Sequence, residues 1–225
     1  YDDTSNGDCL DNAELKNALA GFSALISGKL DILGMDACLM QMVEVTYQLK
    51  DSVSFIVGSE LEEPENGWPY DTILSYLVKN PNAAPDIFSK EIVTRYVQSY
   101  SGGKETVTQS AFNADNIIQV KSAIDNLAVY LTANLDDDAY RNGIAYAWRK
   151  AVKFFDDNYV DLKSFANVLK TKCPKSTDLN ARVNALLNSL KVGKGKRTII
   201  AAGYQGSSMK RTGGMSIYFP ADHIN

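Results

Sequence analysis

Short apolar strands alternate with amphipathic helices through the first 80 residues, and this alternation constrains the fold more than any other feature of the chain. The clearest junction runs from Asp31 to Met40, where an apolar strand leads into Asp-Ala-Cys and a helical pattern begins at once. A second apolar strand follows at 53–59. Strands separated by single helices are typical of a parallel sheet covered by helices. The sequence therefore predicts an α/β fold with a mainly parallel central sheet.

The middle of the chain differs from its two ends. Residues from about 81 to 194 carry mainly helical patterns, interrupted by one alternating, strand-like stretch at 105–112. Strand patterns return near the C-terminus, and no linker, repeat or low-complexity segment separates these regions. We therefore predict a single domain over 1–225. Its sheet core would come from about 1–80 and 195–225, with a helix-rich insertion between them. A core with a small subdomain is the alternative.

Cys38 lies where the first strand is predicted to end and a helix over 39–49 to begin. The unpaired N–H groups and the dipole of a helix N-terminus favour a thiolate, which is the reactive form of cysteine. Asp36, two positions earlier, could line a pocket that selects a cation. This arrangement is typical of a cysteine nucleophile. A buried structural cysteine at a strand end is the alternative interpretation.

Four motifs occur in a specific order along the chain. They are Asp36-Ala-Cys38-Leu-Met, the strand end Ser-Glu60, the loop Glu-Pro-x-x-Gly-Trp68 and the strand Gly-x-Ser-Ile-Tyr-Phe-Pro220. In this order and spacing they resemble the clostripain family of cysteine peptidases, which belongs with the caspases, gingipains and legumains. The resemblance implies a caspase-like α/β/α sandwich and a Cys–His catalytic dyad.

The resemblance also implies roles for individual residues. Cys38 would be the nucleophile, and Asp36 would face the pocket for P1, the substrate residue whose carbonyl is attacked. Ser59 and Glu60 would form another wall of that pocket, although Glu60 could instead be a surface acid. The expected substrates are proteins or peptides with Arg or Lys at P1. A caspase-like peptidase with a different P1 preference is an alternative.

The position of the catalytic histidine is the main departure from this pattern. The only histidine is His223, which we interpret as an exposed residue of a C-terminal loop. In the resembling family the dyad histidine lies upstream of the cysteine, so it is expected before residue 1. The chain would then be the cysteine-bearing heavy-chain fragment of a self-processed protein, with an N-terminal light chain as its partner. A catalytically inactive, peptidase-like binding module is the alternative.

Composition excludes several other classes of function. The net charge is −4 and the chain has no basic block, so the sequence gives no sign of nucleic-acid binding. No apolar run approaches the length of a membrane span. The three cysteines, Cys9, Cys38 and Cys173, fit neither a disulfide framework nor a zinc site. No cofactor is expected, although the acidic start from Asp2 to Asp8 could hold calcium. The family resemblance implies a secreted or cell-envelope bacterial protein.

Overall fold

The computed structural model describes Thr4 and residues 7–220. The predictions that concern Asp2, Asp3 and His223 lie outside these residues. The helices and strands follow one another as α1 (Asn12–Leu25), β1 (Leu30–Gly34), α2 (Val43–Leu49), β2 (Val53–Gly58), α3 (Tyr70–Lys79), α4 (Pro85–Ser99), β3 (Val107–Asn113), α5 (Ile117–Thr132), α6 (Asp138–Lys150), β4 (Lys153–Phe154), β5 (Tyr159–Asp161), α7 (Leu162–Lys172), α8 (Thr177–Ser189), β6 (Ile199–Gln205) and β7 (Ser216–Tyr218). Among the described helices, none is both long enough and apolar enough to cross a membrane.

The main sheet has four strands in the order β1-β2-β3-β6. β1 and β2 are parallel and are joined by α2, but β3 runs antiparallel to both of its neighbours, β2 and β6. The sheet is therefore mixed, and the expectation that it is mainly parallel is wrong. The chain reverses on entering and on leaving a single crossover helix, so the next strand runs parallel to the first. The connection from β2 to β3 contains two helices, α3 and α4, and this odd number of reversals leaves β3 antiparallel to β2.

Helices cover both faces of this sheet, as expected for an α/β/α sandwich. Successive residues of a strand point to opposite faces. Ile56 and Phe112 are buried on the face that packs against α1, α2 and α5. Val57 and Ala111 are buried on the opposite face, against α3 and α4. The core is thus divided into two layers by the sheet, and the predicted three-layer α/β architecture is confirmed.

The remaining strands form a second, smaller sheet in the order β4-β5-β7. β7 pairs antiparallel with β5, so the expectation that both final strands return to the main sheet holds for β6 alone. The stretch 81–194 contributes α4 and the central strand β3 to the main layers. Its other helices, α5 to α8, pack together in one apolar cluster that extends to the residues of β7.

Candidate active site

Cys38 lies in the loop that connects β1 to α2. This helix begins only at Val43, so its predicted start at Leu39 is wrong. Leu39 has a positive φ of 64°, and Gln41 donates its backbone N–H to the carbonyl of Ser59 at 2.9 Å. The loop therefore makes backbone hydrogen bonds with the chain after β2 instead of with a first helical turn. As a consequence, the N-terminus of α2 does not lie at the Cys38 thiol.

The thiol of Cys38 is exposed and contacts the loop that follows β2, residues 61–69, which we call the site loop. The backbone N–H of Glu63 donates to Cys38 Sγ, with an N···S distance of 3.3 Å. The backbone N–H of Leu39 donates to the carbonyl of Leu61 at 3.2 Å. An N–H group directed at sulfur favours the thiolate over the neutral thiol. The thiol is therefore contacted by a backbone N–H of the site loop, whereas the sequence predicted the N–H groups of a helix N-terminus.

The carboxylate of Asp36 is held by the other end of the site loop. Its Oδ2 accepts hydrogen bonds from the backbone N–H of Trp68 at 3.0 Å and from the hydroxyl of Tyr70 at 2.9 Å. Gly67 has a φ of +58°, and a Cβ there would lie 2.7 Å from Asp36 Oδ2. The Gly-Trp pair of the motif is explained by this close approach. Within the described residues no hydrogen bond reaches Oδ1 of this exposed side chain, which leaves that oxygen open to a ligand.

Glu63 supplies a second carboxyl group near Asp36, and this one belongs to the site loop itself. It accepts hydrogen bonds from the hydroxyl of Tyr96 and from Nε1 of Trp68, the latter at 3.4 Å. Burial raises the pKa of the Glu63 carboxyl to about 7, the two donors oppose that rise, and the charge of Asp36 adds to it. Sequence reasoning singled out neither Glu63 nor Tyr70 as a site residue, although both lie in or beside the quoted Glu-Pro-x-x-Gly-Trp motif. No sequence signal pointed to Tyr96.

Ser59 and Glu60, predicted as a further wall of the pocket, are both buried. Ser59 Oγ lies 3.0 Å from Oγ1 of Thr108 and accepts the backbone N–H of Leu61 at 3.0 Å. Glu60 is only 1% exposed, so the alternative that it is a surface acid is wrong. These bonds join Ser59 to β3 and to the start of the site loop, and neither of them involves Asp36. A role of the two residues in substrate binding stays a prediction.

The Glu60 carboxyl shares its buried position with Asp161. The backbone N–H of Gly214 donates to Glu60 Oε2 at 3.1 Å, and that of Gly213 donates to Asp161 Oδ2 at 2.6 Å. Burial, reinforced by the negative charge of Asp161, raises the pKa of Glu60 well above its usual range. This pair joins the end of β2 to β5 and to the loop before β7.

The other cysteines differ from Cys38 in their surroundings. Cys9 is exposed, whereas Cys173 is buried, and burial raises the pKa of its thiol to about 11. All three cysteines are free. In the part of the chain that the structure describes, no three His, Cys, Asp or Glu side chains are grouped as metal ligands. Asp2 and Asp3 of the predicted calcium segment are not among the described residues.

Comparisons with known proteins agree with this geometry. The family model described as the clostripain family matches residues 1–223. A cysteine protease from B. fragilis has the same fold, with a TM-score of 0.58 and 18% identity over 95% of this chain and 86% of that chain. A clostripain from Bacteroides thetaiotaomicron ATCC 29148, solved with the peptide inhibitor BTN-VLTK-AOMK, gives a TM-score of 0.64 and 19% identity over 92% of this chain and 85% of that chain.

A third solved structure is longer than this chain. It is a secreted C11 cysteine protease from Bacteroides thetaiotaomicron in complex with an irreversible peptide inhibitor, with a TM-score of 0.63 and 19% identity. The alignment covers 96% of this chain but only 58% of that protein. A search of curated proteins finds no match. The structural likeness confirms the caspase-like α/β fold, and the family match establishes that the chain belongs to the clostripain family of cysteine peptidases.

Proposed function

We propose that this chain carries the nucleophile and the P1 pocket of an endopeptidase that cleaves after Arg or Lys. The observation that carries the proposal is the arrangement of Cys38 and Asp36, two exposed groups in the loop after β1. One loop, residues 61–69, contacts both through backbone N–H groups. A nucleophile and a specificity group are thereby fixed with respect to each other.

Asp36 is the residue that would select the substrate. Its Oδ2 is occupied by Trp68 and Tyr70, which orient the carboxylate, while Oδ1 remains available to a cation. A guanidinium or ammonium group pairs well with such an oriented carboxylate. Above its raised pKa of about 7, the partly buried carboxyl of Glu63 adds negative potential to the same region. This charge favours a basic P1 side chain over an acidic or apolar one.

The reaction follows from the chemistry of a thiolate. Cys38 Sγ attacks the scissile carbonyl carbon, and the backbone N–H of Cys38 helps to hold the developing oxyanion. The C–N bond then breaks, and a histidine delivers the proton that the departing amine requires. Water, activated by the same histidine, hydrolyses the resulting thioester and restores the thiol. We propose that this histidine comes from an N-terminal light chain, since the only histidine of this chain is His223.

The edge of the main sheet supports such a partner. Within the described residues no strand pairs with the outer edge of β1, the strand that leads to Cys38. α1, which packs at the same end of the sheet, exposes Phe22 and Leu25, the latter to 83%. An unpaired strand edge beside exposed apolar side chains is a surface that another segment covers in a stable protein. A light chain that adds a strand to β1 would bring its residues next to the thiol.

We expect native material to contain a second polypeptide, or a longer precursor of both. Denaturing gels and intact-mass spectrometry would separate the two chains, while size-exclusion chromatography under native conditions would keep them together. Sheet pairing and apolar packing are the forces that hold such chains after cleavage. Isolation of this chain alone, monomeric and active on Arg substrates, would contradict the two-chain arrangement and make His223 the candidate base.

Labelling tests the proposed activity directly. A peptide with a thiol-reactive group after Arg or Lys should label Cys38 in native material, and peptide mapping should locate the adduct on that residue alone. The same reagent with Asp or a neutral residue at P1 should label at least about a hundredfold more slowly, because its side chain cannot pair with Asp36. Equal labelling by all reagents would favour a different P1 preference. No labelling of correctly assembled protein would favour an inactive binding module.

We also propose that the protein acts outside the bacterial cytoplasm. Two solved structures with this fold are described as secreted proteases of Bacteroides thetaiotaomicron. Secretion or attachment to the cell envelope would bring the enzyme to extracellular protein substrates. The proposal is consistent with the mild net charge of −4, which gives no sign of a nucleic-acid partner.

A further inference from the structure

We propose that Glu63 is a positioning residue for the Cys38 nucleophile, and that Tyr96 on α4 holds Glu63 in place. This inference rests on the proposed function of Cys38 and deepens it. Glu63 would act through two separate groups. Its backbone N–H contacts the sulfur, and its side chain anchors the site loop to the buried helix behind it.

The first observation concerns what surrounds the sulfur. Within the described part of the chain, the hydrogen bond to Cys38 Sγ comes from the backbone N–H of Glu63 at 3.3 Å. The N-terminus of α2 does not lie at the thiol, since this helix begins only at Val43. A donor that faces sulfur stabilises the negative thiolate more than the neutral thiol. The position of this one N–H group therefore influences the direction in which the sulfur points.

The second observation concerns what fixes that N–H group. Glu63 belongs to no helix or strand, and Pro64 follows it, so ladder hydrogen bonds do not hold its backbone. The carboxylate instead accepts hydrogen bonds from the Tyr96 hydroxyl and from Trp68 Nε1. Tyr96 is fully buried near the C-terminal end of α4. The side chain of Glu63 therefore ties the site loop to the buried helix α4.

The third observation is that the Glu63 carboxyl group is partly removed from water, although a carboxylate is more stable in water. Burial raises the pKa of Glu63 to about 7, although its two donors act in the opposite direction. An ordinary surface loop keeps its acids solvated. Here the acid is turned inward and held between two aromatic side chains, Tyr96 and Trp68. Trp68 in turn donates its backbone N–H to Asp36, so the anchor connects the nucleophile to the proposed P1 carboxylate.

The chain offers a matched control on the same helix. Tyr100 lies one turn after Tyr96, at the C-cap of α4, and its hydroxyl donates to the carbonyl of Gly67 at 2.8 Å. Each tyrosine therefore makes one hydroxyl contact with the site loop. Only the contact of Tyr96 reaches the residue that touches Cys38 Sγ. Tyr96→Phe and Tyr100→Phe remove the same atom at two ends of one loop.

The experiment measures the pKa of the Cys38 thiol from the pH dependence of its alkylation by iodoacetamide. Assembled two-chain protein with Cys9→Ser is used, so that Cys38 is the exposed thiol and Cys173 stays buried. Mass spectrometry follows the adduct on Cys38. Glu63→Ala keeps the backbone N–H but removes the side chain that holds it at the sulfur. Relative to Glu63→Gln, which loses the same charge, it should therefore raise the thiol pKa by roughly one unit and lower kcat on an Arg peptide about tenfold, with KM changed less than about threefold, because the misplaced N–H no longer stabilises the thiolate.

The related variants separate positioning from a general effect on folding. Tyr96→Phe should raise the thiol pKa in the same direction by about half as much, whereas Tyr100→Phe should leave it unchanged. Glu63→Gln retains an oxygen for the Tyr96 hydroxyl and should keep the thiol pKa near that of the parent protein. An unchanged thiol pKa in both Glu63→Ala and Tyr96→Phe would overturn the proposal. Activity that survives Cys38→Ala would instead overturn the proposed function, so the two failures are distinguishable.

Discussion

Replacement of Cys38 by alanine is expected to abolish peptide hydrolysis and self-cleavage together. Both reactions would use one thiol, and without it no thioester can form. Removal of a catalytic nucleophile lowers kcat by several orders of magnitude, and we expect at least about a 10⁴-fold loss here. Initial rates on an Arg peptide, together with gel analysis of the precursor, measure the two effects. Because the Cys38 side chain is exposed, its removal should leave the folded state intact.

Cys9→Ser is the matched control for this experiment. Cys9 is also an exposed, free cysteine, but it lies before α1 and outside the site. Its replacement should keep hydrolysis and self-cleavage within about twofold of the parent rates, because surface substitutions away from special contacts have small effects. Turnover of an Arg substrate by the Cys38→Ala protein would show that another group is the nucleophile.

The second large effect is expected at Asp36. Asp36→Asn removes the negative charge but keeps an oxygen that can accept the hydrogen bonds of Trp68 and Tyr70. A basic P1 side chain would then enter the pocket without its counter-charge, at a cost on the order of 2–5 kcal/mol. We expect kcat/KM for Arg and Lys peptides to fall by a factor of at least about 100. Steady-state kinetics on Arg, Lys and neutral P1 peptides would measure the change.

Tyr70→Phe serves as the control for the charge of Asp36. It removes one of the two donors to Asp36 Oδ2 and leaves the Asp36 side chain itself unchanged. The loss in kcat/KM should stay within about tenfold, as expected for one hydrogen bond to a charged group. If Asp36→Asn kept the preference for basic residues, the P1 carboxylate would have to be another acid. Glu63 would be the next candidate, because Glu60 is buried beneath the surface.

Local features of the fold were predictable because their causes lie within a few residues. Asp11 and Glu14 have the spacing of a capping box, and their side chains and backbone N–H groups bond reciprocally at the start of α1. The strand predicted over 53–59 likewise matches β2 closely. The capping groups and the periodicity of apolar residues that predict these elements can be read directly from neighbouring residues of the sequence.

The errors share a different origin, because they depend on contacts between distant parts of the chain. The loop after Cys38 stays non-helical because Gln41 and Leu39 bond to residues after β2. Glu60 is buried because Gly214, 154 residues away, supplies a hydrogen bond to its carboxyl group. The role of Tyr96 at the site loop depends on the packing of α4 against the sheet. No local pattern encodes such partners.

The buried pair of Glu60 and Asp161 has a consequence for how the chain folds as it is synthesised. Both acids leave the ribosome before Gly213 and Gly214, the residues whose N–H groups bind them. Until then Glu60 is hydrated and ionised at neutral pH. Its pKa in the folded protein is raised well above the usual range, so enclosing it favours the protonated carboxyl. Closure of the last segment over the sheet is therefore coupled to proton uptake, and it becomes less favourable as the pH rises.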